Sequence, residues 1–578
     1  MYGFIGGINI EKDLLYIKEH NSEELISDEK ESEEFVIKRL TLNKFYNDKI
    51  CYESDEIIIV IEGVIYNFAS LTKKYAIEDR GLLLERIYRE SEMSVFCNIL
   101  DGYYSGVLYD KIKKITYVFT DHIGYRPVWY YCENNLFVFS SDIDWMYHSV
   151  AAFEKQFLPD EDAFISMLNY GYVLGNRTLN RNIKKLLSGH YLCFSDNMID
   201  IGEYYSLPLP DNKQEKSRIK ILEEIDYCIT EAVKKAYEKD AEYGYKHIMT
   251  LSGGLDSRVL LFKACQLGYK TTCITMGEAN CTDIRISSQI CDDLNQEHLI
   301  YELNNGLYLS DIESAVEANG GTIMWPGFAH GYRLRQLIDL RGYGAIHSGD
   351  LGDVILGGSY YEGSEKNNIN RIDLRKDVLA YGRGFIGQFS NQFREEEINR
   401  YSNKVLFNYY NRGVNSAGNG VFATHYYTEG SSPLISKSIL NLMFSLPYEY
   451  TKEHKLYFEY LKEYMPKACE YIWEHSGCKP GAGYLQKEFV KWKRRISYRV
   501  FHKFSSMNPY DKWYGNNKAL RDYLDEVYSD INNMSYVSDS ILQVIKRKYR
   551  SNNTLEKTLA CVAVTVLKKY GANVDHEI

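Results

Sequence analysis

The sequence predicts an α/β chain of two domains: a β-rich N-terminal part, then a doubly wound parallel sheet with a helical C-terminal extension. Three observations predict this. Residues 1–205 carry short strand-like runs bounded by turn residues. From residue 219 onward, short apolar runs alternate with helical patterns, the signature of parallel strands joined by crossover helices. Between the two lies a polar stretch with two prolines, Pro208-Leu-Pro-Asp-Asn-Lys-Gln-Glu-Lys216, so residues 206–218 read as a linker. The second domain is expected over 219–510 and the helical extension over 511–578.

In the first part, Ile57-Ile-Ile-Val-Ile61, Thr116-Tyr-Val-Phe119 and Leu136-Phe-Val-Phe139 read as strands, and Asp101-Gly102 and Glu133-Asn-Asn135 as turns. In the second part, residues 219–237 read as a helix. His247-Ile-Met-Thr-Leu251 reads as a buried strand, and Ser257–Leu267 as a buried helix stopped by Gly268. Thr271–Met276 is a second strand. Asp283–Leu294 has a helical face at Ile284, Ser287, Ile290, Cys291 and Leu294. His298–Leu303 and Ala345–Ser348 are the third and fourth strands. Residues 370–578 look mainly helical, and Thr554–Tyr570 is an apolar helix expected to pack on the core.

The 578 residues are enough for two to four domains. No run approaches the ~18 continuous apolar residues of a membrane helix. The start lacks a basic region and a long apolar run, so a signal peptide is not expected. The net charge of −11 weighs against a general nucleic-acid binder. The 12 cysteines form no C-x-x-C pair, which points to neither zinc nor a disulfide framework and fits a reducing cytoplasm. Two basic stretches, Lys491-Trp-Lys-Arg-Arg495 and Lys546-Arg-Lys-Tyr-Arg550, read as solvated helix faces.

The chemistry concentrates in Ser252-Gly-Gly-Leu-Asp-Ser257, between a strand and a helix. Glycines let the backbone approach a ligand, and a helix start offers unpaired N–H groups and a partial positive charge. Together they make an anion site, and the usual anion is phosphate. Asp256 would repel a phosphate directly, so it reads as a ligand of Mg²⁺ bridging phosphates. No Lys follows the glycines, so this is not a Walker A loop.

The loop resembles the pyrophosphate loop of the ATP-pyrophosphatases, and residues 1–500 resemble the asparagine synthetase family. Leu251-Ser-Gly-Gly-Leu-Asp-Ser257 is similar to that family's ATP loop, and Ser348-Gly-Asp-Leu-Gly-Asp-Val-Ile-Leu-Gly-Gly358 to its second signature. The resemblance implies ATP and Mg²⁺ as cofactors. Asp256 and Asp353 would hold the metal. Leu251, Ser252, Gly253, Gly254, Ser257, Met276, Gly277, Ser348 and Gly349 would line the nucleotide. Asp350 falls at a catalytic Glu position, and Val354 replaces the second Glu of the signature. Trp473-Glu-His-Ser-Gly-Cys-Lys479-Pro480 resembles a late segment whose Lys stabilises the oxyanion as an amine attacks, with Lys487 and Lys491 as fallback candidates.

The first part, residues 1–205, resembles a class II glutamine amidotransferase domain through Leu100-Asp-Gly-Tyr-Tyr-Ser-Gly-Val-Leu-Tyr-Asp110, Asp121-His-Ile-Gly-Tyr-Arg-Pro127 and Phe139-Ser-Ser-Asp142, and the resemblance implies an α+β sandwich. Its catalytic positions depart from the pattern. Tyr2 stands where the family has its cysteine nucleophile. Glu62 stands at the Asn that stabilises the oxyanion, and Val64 at the Glu that holds the substrate amine. A carboxylate beside a developing oxyanion raises the barrier. An inactive glutaminase is expected.

The expected activity is ATP-dependent amide formation. A small-molecule or peptide carboxylate would be adenylated with release of pyrophosphate. An amine supplied by some route other than glutamine hydrolysis in this chain would then attack. The β-lactam synthetases and the lasso-peptide cyclases are relatives of this kind that also lack the cysteine. Two alternatives are an ammonia-driven asparagine synthase and a non-catalytic nucleotide-binding interaction protein. Neither a nucleic-acid nor a membrane partner is expected, and a homodimer is compatible with the sequence.

Overall fold

The structure, a computed structural model, describes every residue except 1, 19–24, 155, 211–215, 328, 336, 361–369, 383, 419–427, 484, 487, 493–505, 535 and 572–578. Part of the linker expectation therefore lies outside the described residues.

Among the described residues, twelve strands build the N-terminal sandwich: β1 (Gly3–Ile8), β2 (Leu25–Glu31), β3 (Phe35–Leu42), β4 (Cys51–Glu53), β5 (Ile57–Ile65), β6 (Gly102–Asp110), β7 (Ile115–Thr120), β8 (Trp129–Glu133), β9 (Leu136–Ser140), β10 (Lys184–Lys185), β11 (His190–Ser195) and β12 (Met198–Glu203). They form two antiparallel six-stranded sheets, ordered β10-β8-β9-β1-β3-β2 and β12-β11-β7-β6-β5-β4. The Ile57–Ile61 run shows why β5 is apolar without alternation. Ile58 and Val60 face the core between the sheets. Ile57, Ile59 and Ile61 face a second core beneath the helices Arg80–Glu90 and Met93–Ile99. A strand buried on both faces carries no polar period. These helices, with Ile143–Glu154 and Glu161–Tyr170 beyond the other sheet, go past the β-rich pattern of residues 1–205 and make the α+β sandwich that the resemblance implies.

Five further strands among the described residues form the second domain's sheet: β13 (Lys246–Thr250), β14 (Thr271–Gly277), β15 (Glu297–Glu302), β16 (Tyr343–His347) and β17 (Gly430–Ser431). All pairs are parallel, in the order β15-β14-β13-β16-β17. The chain winds from β13 through β14 to β15, then returns to add β16 and β17 on the other side. The switch point therefore lies between β13 and β16, where open α/β sheets place their ligands. The helix expected at 219–237 runs Arg218–Glu242, capped by the Ser217 side chain. The helix after β13 is Asp256–Gln266, followed by Gly268 in the left-handed region at φ +85°. The two-residue strand β17 has no sequence signal of its own.

Buried ion pairs and hydrogen bonds join the two domains. Glu429, just before β17, is buried between Lys49 at 3.0 Å and Arg126. Asp48 is fully buried against Arg80, Lys239 at 3.3 Å and the Tyr243 hydroxyl at 3.0 Å. The extension, helices Asp539–Tyr549 and Thr554–Gly571 among them, binds both domains. Tyr570 donates to Asp144 at 2.6 Å, and Lys569 pairs with Glu317 at 2.7 Å. Lys546 and Arg547 are exposed as expected, but Lys548 is not a solvated lysine: it is buried and paired with Glu556 at 3.1 Å.

His122 sits in this interface, buried, with Nε2 at 2.9 Å from the Ile435 carbonyl. Burial, helped by Lys437, pushes its pKa below the ordinary histidine value. Below pH ~6.5 the unfolded chain then takes up a proton that the folded chain refuses, so stability falls as pH falls. The unfolding midpoint should drop below that pH, and the drop should be shallower in His122→Gln. Equal slopes for the two proteins, measured by thermal denaturation, would contradict this.

Candidate active site

The carboxyl ends of β13 and β16 place two loops side by side, 251–255 and 348–351. Thr275 Oγ1 donates to the Leu251 carbonyl at 2.7 Å, and Leu251 N–H to the Ile274 carbonyl at 2.8 Å, so β14 fixes where the first loop begins. The loop then closes on itself. Ser252 N–H donates to Ser257 Oγ at 3.1 Å, and Gly254 N–H to Ser252 Oγ at 3.1 Å. Gly253 N–H is taken by Asp283 at 2.9 Å. No side chain caps the helix at Leu255, so its first N–H groups are not spent on a cap.

The second loop packs against this helix start. A Cβ on Gly349 would lie 2.5 Å from Ser257 N and 2.6 Å from the Asp256 carbonyl carbon. A Cβ on Gly352 would lie 2.5 Å from Asp256 Cγ. Only glycine fits at either point. Leu351 between them takes the left-handed conformation, φ +59°, which turns the chain into the short helix Gly352–Ile355. Asp353 N–H then donates to Asp256 Oδ2 at 2.9 Å, and the Tyr457 hydroxyl to Asp256 Oδ1 at 2.9 Å.

The sequence brings three carboxylates together here. Burial pushes the Asp256 carboxyl well above the usual carboxylate range, and repulsion from Asp353 and Asp350 adds to it; the Tyr457 hydroxyl and the Asp353 N–H only partly oppose this. Asp350 is pushed up to about 6 by burial, against a hydrogen bond from the Ser348 hydroxyl. Asp353 is exposed and accepts from the Ser359 hydroxyl at 3.2 Å. Like charges gathered at a half-buried point, beside glycines that leave backbone open, are the donor chemistry a hard divalent cation requires.

A cavity of about 340 Å³ opens over these loops. Its polar end carries Ser252, Gly254, Asp256, Ser257, Ser348, Gly349 and Asp350; Leu251 and Met276 line it with Ile274, Leu334 and Ile346 at the apolar end. Gly253, Gly277, Asp353 and Lys479 are not on its wall. Gly253 is turned toward Asp283, and a Cβ on Gly277 would meet Met507 Cγ at 2.9 Å.

Lys479 is exposed on the 471–483 loop. That loop is tied to the nucleotide loop at its base: Glu474 N–H donates to the Gly253 carbonyl at 3.1 Å. Arg258, fully buried, bonds the carbonyls of Gly253, Ala468, Tyr471 and Ile472. Lys491 is exposed and paired with Glu488 at 2.8 Å, while Lys487 and most of the first basic stretch lie outside the described residues. Sequence reading missed Arg258, Asp283, Tyr457, His330 and Met507. No motif or period marks them, because each reaches the site through packing.

Two family models match. One, described as a glutamine amidotransferase domain, covers residues 42–205. The other, described as asparagine synthase, covers residues 224–469. The chain belongs to the asparagine synthetase family. Among its relatives is a protein of Methanocaldococcus jannaschii provisionally named asparagine synthetase (glutamine-hydrolyzing) 2, 30% identical over 37% of this chain and 42% of the relative. A second from that organism, provisionally named asparagine synthetase (glutamine-hydrolyzing) 1, is 21% identical over 69% of this chain and 66% of the relative. Asparagine synthetase (glutamine-hydrolyzing) 1 of Bacillus subtilis is 22% identical over 49% of this chain and 45% of the relative. The chain thus spans less than two thirds of the length of these family members.

The amidotransferase-like positions are filled by protein. Glu62 is fully buried, accepting from Thr41 Oγ1 at 2.9 Å with Arg39 Nη1 at 3.5 Å. Val64 packs with Phe45 against Ala345 of the second domain. Tyr2 is half-buried against the main core. Among the described residues no helix is long and apolar enough to cross a membrane.

Proposed function

We propose that this chain is an ATP-dependent amide-forming ligase: it adenylates a substrate carboxylate, releases pyrophosphate, and passes the acyl group to an amine. The observation that carries this reading is the convergence of Asp256, Asp353 and Asp350 at the switch point, above a glycine contact that keeps the two loops in register. Asp256 and Asp353 would hold Mg²⁺, with Asp350 facing the reacting end. Bound there, the ion would neutralise charge on the leaving pyrophosphate. Ser252, Gly254, Ser257 and the uncapped helix start would bind the phosphates, while Leu251, Met276 and Ile274 would shield the base. The tie between the Lys479 loop and the Gly253 carbonyl supports a role for that loop in the amine step.

The amine does not come from glutamine in this chain. Glu62 is already engaged by Arg39 and Thr41, and Val64 is engaged in the interdomain contact, so neither offers an oxyanion donor or an amine ligand. Incubated with glutamine, with or without ATP, the protein should release no glutamate above a protein-free control. Protein-dependent release would overturn the claim. With ATP and aspartate, asparagine formation from ammonia separates the plain asparagine synthase reading from the use of a different carboxylate and amine.

A further inference from the structure

A second cavity, of about 380 Å³, lies where the end of the sandwich meets the helical part of the second domain. Its walls come from Lys185 on β10, Leu187, Ser188 and His190 just after it, the 203–209 segment, and the 400–415 region. None of the expected active-site residues touches it.

Its buried cation, Lys185, has no ion-pair partner among the described residues. Lys185 is 8% exposed, and its Nζ has one hydrogen-bond partner among the described residues, the Asn415 carboxamide at 2.9 Å. An ammonium has three N–H donors, so two have no acceptor among the described residues. No carboxylate among the described residues lies within ion-pair distance of it. Burial lowers its pKa to about 8, with Asp121 opposing. Arg400 on the same wall is held by Glu397 at 3.2 Å, yet its buried Nε has no partner among the described residues. The carboxylate on the wall, Glu203, is exposed. Tyr401 and Tyr410, stacked at 5.8 Å, and Leu207 supply an apolar side. Tyr410 belongs to a π-helical turn, Tyr409–Val414, a distortion that recurs at functional sites.

We propose that this cavity binds a small oxyanion-bearing molecule, a carboxylate or a phosphate ester, with Lys185 and Arg400 taking the anionic group and the tyrosine pair its apolar body. Burying an ammonium with a single neutral partner is unfavourable, and an anion entering the cavity relieves it. The cavity is roomy enough for a metabolite rather than a water cluster.

Calorimetric titration of the full chain with inorganic phosphate and, separately, with succinate tests this. Saturating Mg²⁺ and α,β-methylene-ATP are present throughout to fill the nucleotide loop. One of the two anions should bind, and which one does separates phosphate from carboxylate recognition. Lys185→Met should weaken that binding at least tenfold, and Lys185→Arg should retain most of it. Ser402→Trp, an exposed wall position, should block entry without touching the core, so it decides the matter if Lys185→Met fails to fold. No binding of either anion to the parent protein, or equal binding to the parent and Ser402→Trp, would overturn the proposal. Because the titration reads Lys185 and Ser402 variants against the parent, it stands or falls separately from the nucleotide reading.

Discussion

Asp256→Asn should cost at least ~100-fold in turnover, the order of loss expected when a fixed electrostatic group is removed from a developing charge, while the fold survives. The two effects separate because Asp256 is poorly placed for stability. Its carboxyl is half-buried and sits among Asp353 and Asp350, so burial and like charge both oppose its ionisation. An amide removes that repulsion and keeps an acceptor for the Tyr457 hydroxyl, losing at most the bond from Asp353 N–H. The unfolding midpoint should therefore stay level or rise as activity is lost. Asp353→Asn should lose turnover too, and its exposure makes it neutral for stability. Thermal denaturation and ATP turnover on the same preparations check both. Near-normal rates in the two variants would favour a nucleotide-binding protein without catalysis.

Gly349→Ala should do comparable damage by a different route. Its φ lies outside the left-handed region, so the methyl brings no dihedral penalty. It would instead strike Ser257 N at 2.5 Å and the Asp256 carbonyl carbon at 2.6 Å. Both are backbone atoms at a helix start, which cannot swing aside as a side-chain tip can. Overpacking of this kind costs ~1–3 kcal/mol, and the relief available is to part the two loops, which separates Asp256 from Asp353. Nucleotide affinity should fall at least tenfold by calorimetry. Gly342→Ala, at an open position with nothing within 4 Å of the added methyl, should match the parent. Equal affinities for Gly349→Ala and Gly342→Ala would show that the loops do not act as a unit.

Much of this site was legible in the chain, and the boundary is physical. The segment 247–267 announced itself because strand, glycine turn and helix are local in sequence, and each leaves a periodic or compositional mark. The β5 run was legible as a strand for the same reason, although its burial on two faces needed the helices at Arg80–Glu90 and Met93–Ile99 to be explained. Tyr457 and Arg258 were not legible. Tyr457 reaches Asp256 from 201 positions away, and Arg258 reads as one polar residue in an apolar helix until its four backbone carbonyl partners are seen. Lys479 shows the converse: its motif was readable, but the fold places it exposed and off the cavity wall. Glu62 and Val64 could be read as departures from a pattern, yet their engagement by Arg39 and by Ala345 depends on packing between strands and domains.

The most direct measurement of the central claim is the product analysis of ATP turnover. The full chain is incubated with Mg²⁺, α-labelled ATP, an amine source and a panel of carboxylates that includes aspartate. AMP and pyrophosphate should form in equal amounts, dependent on the carboxylate, abolished by chelation and restored by Mg²⁺. ADP and inorganic phosphate as the stoichiometric products would contradict the claim.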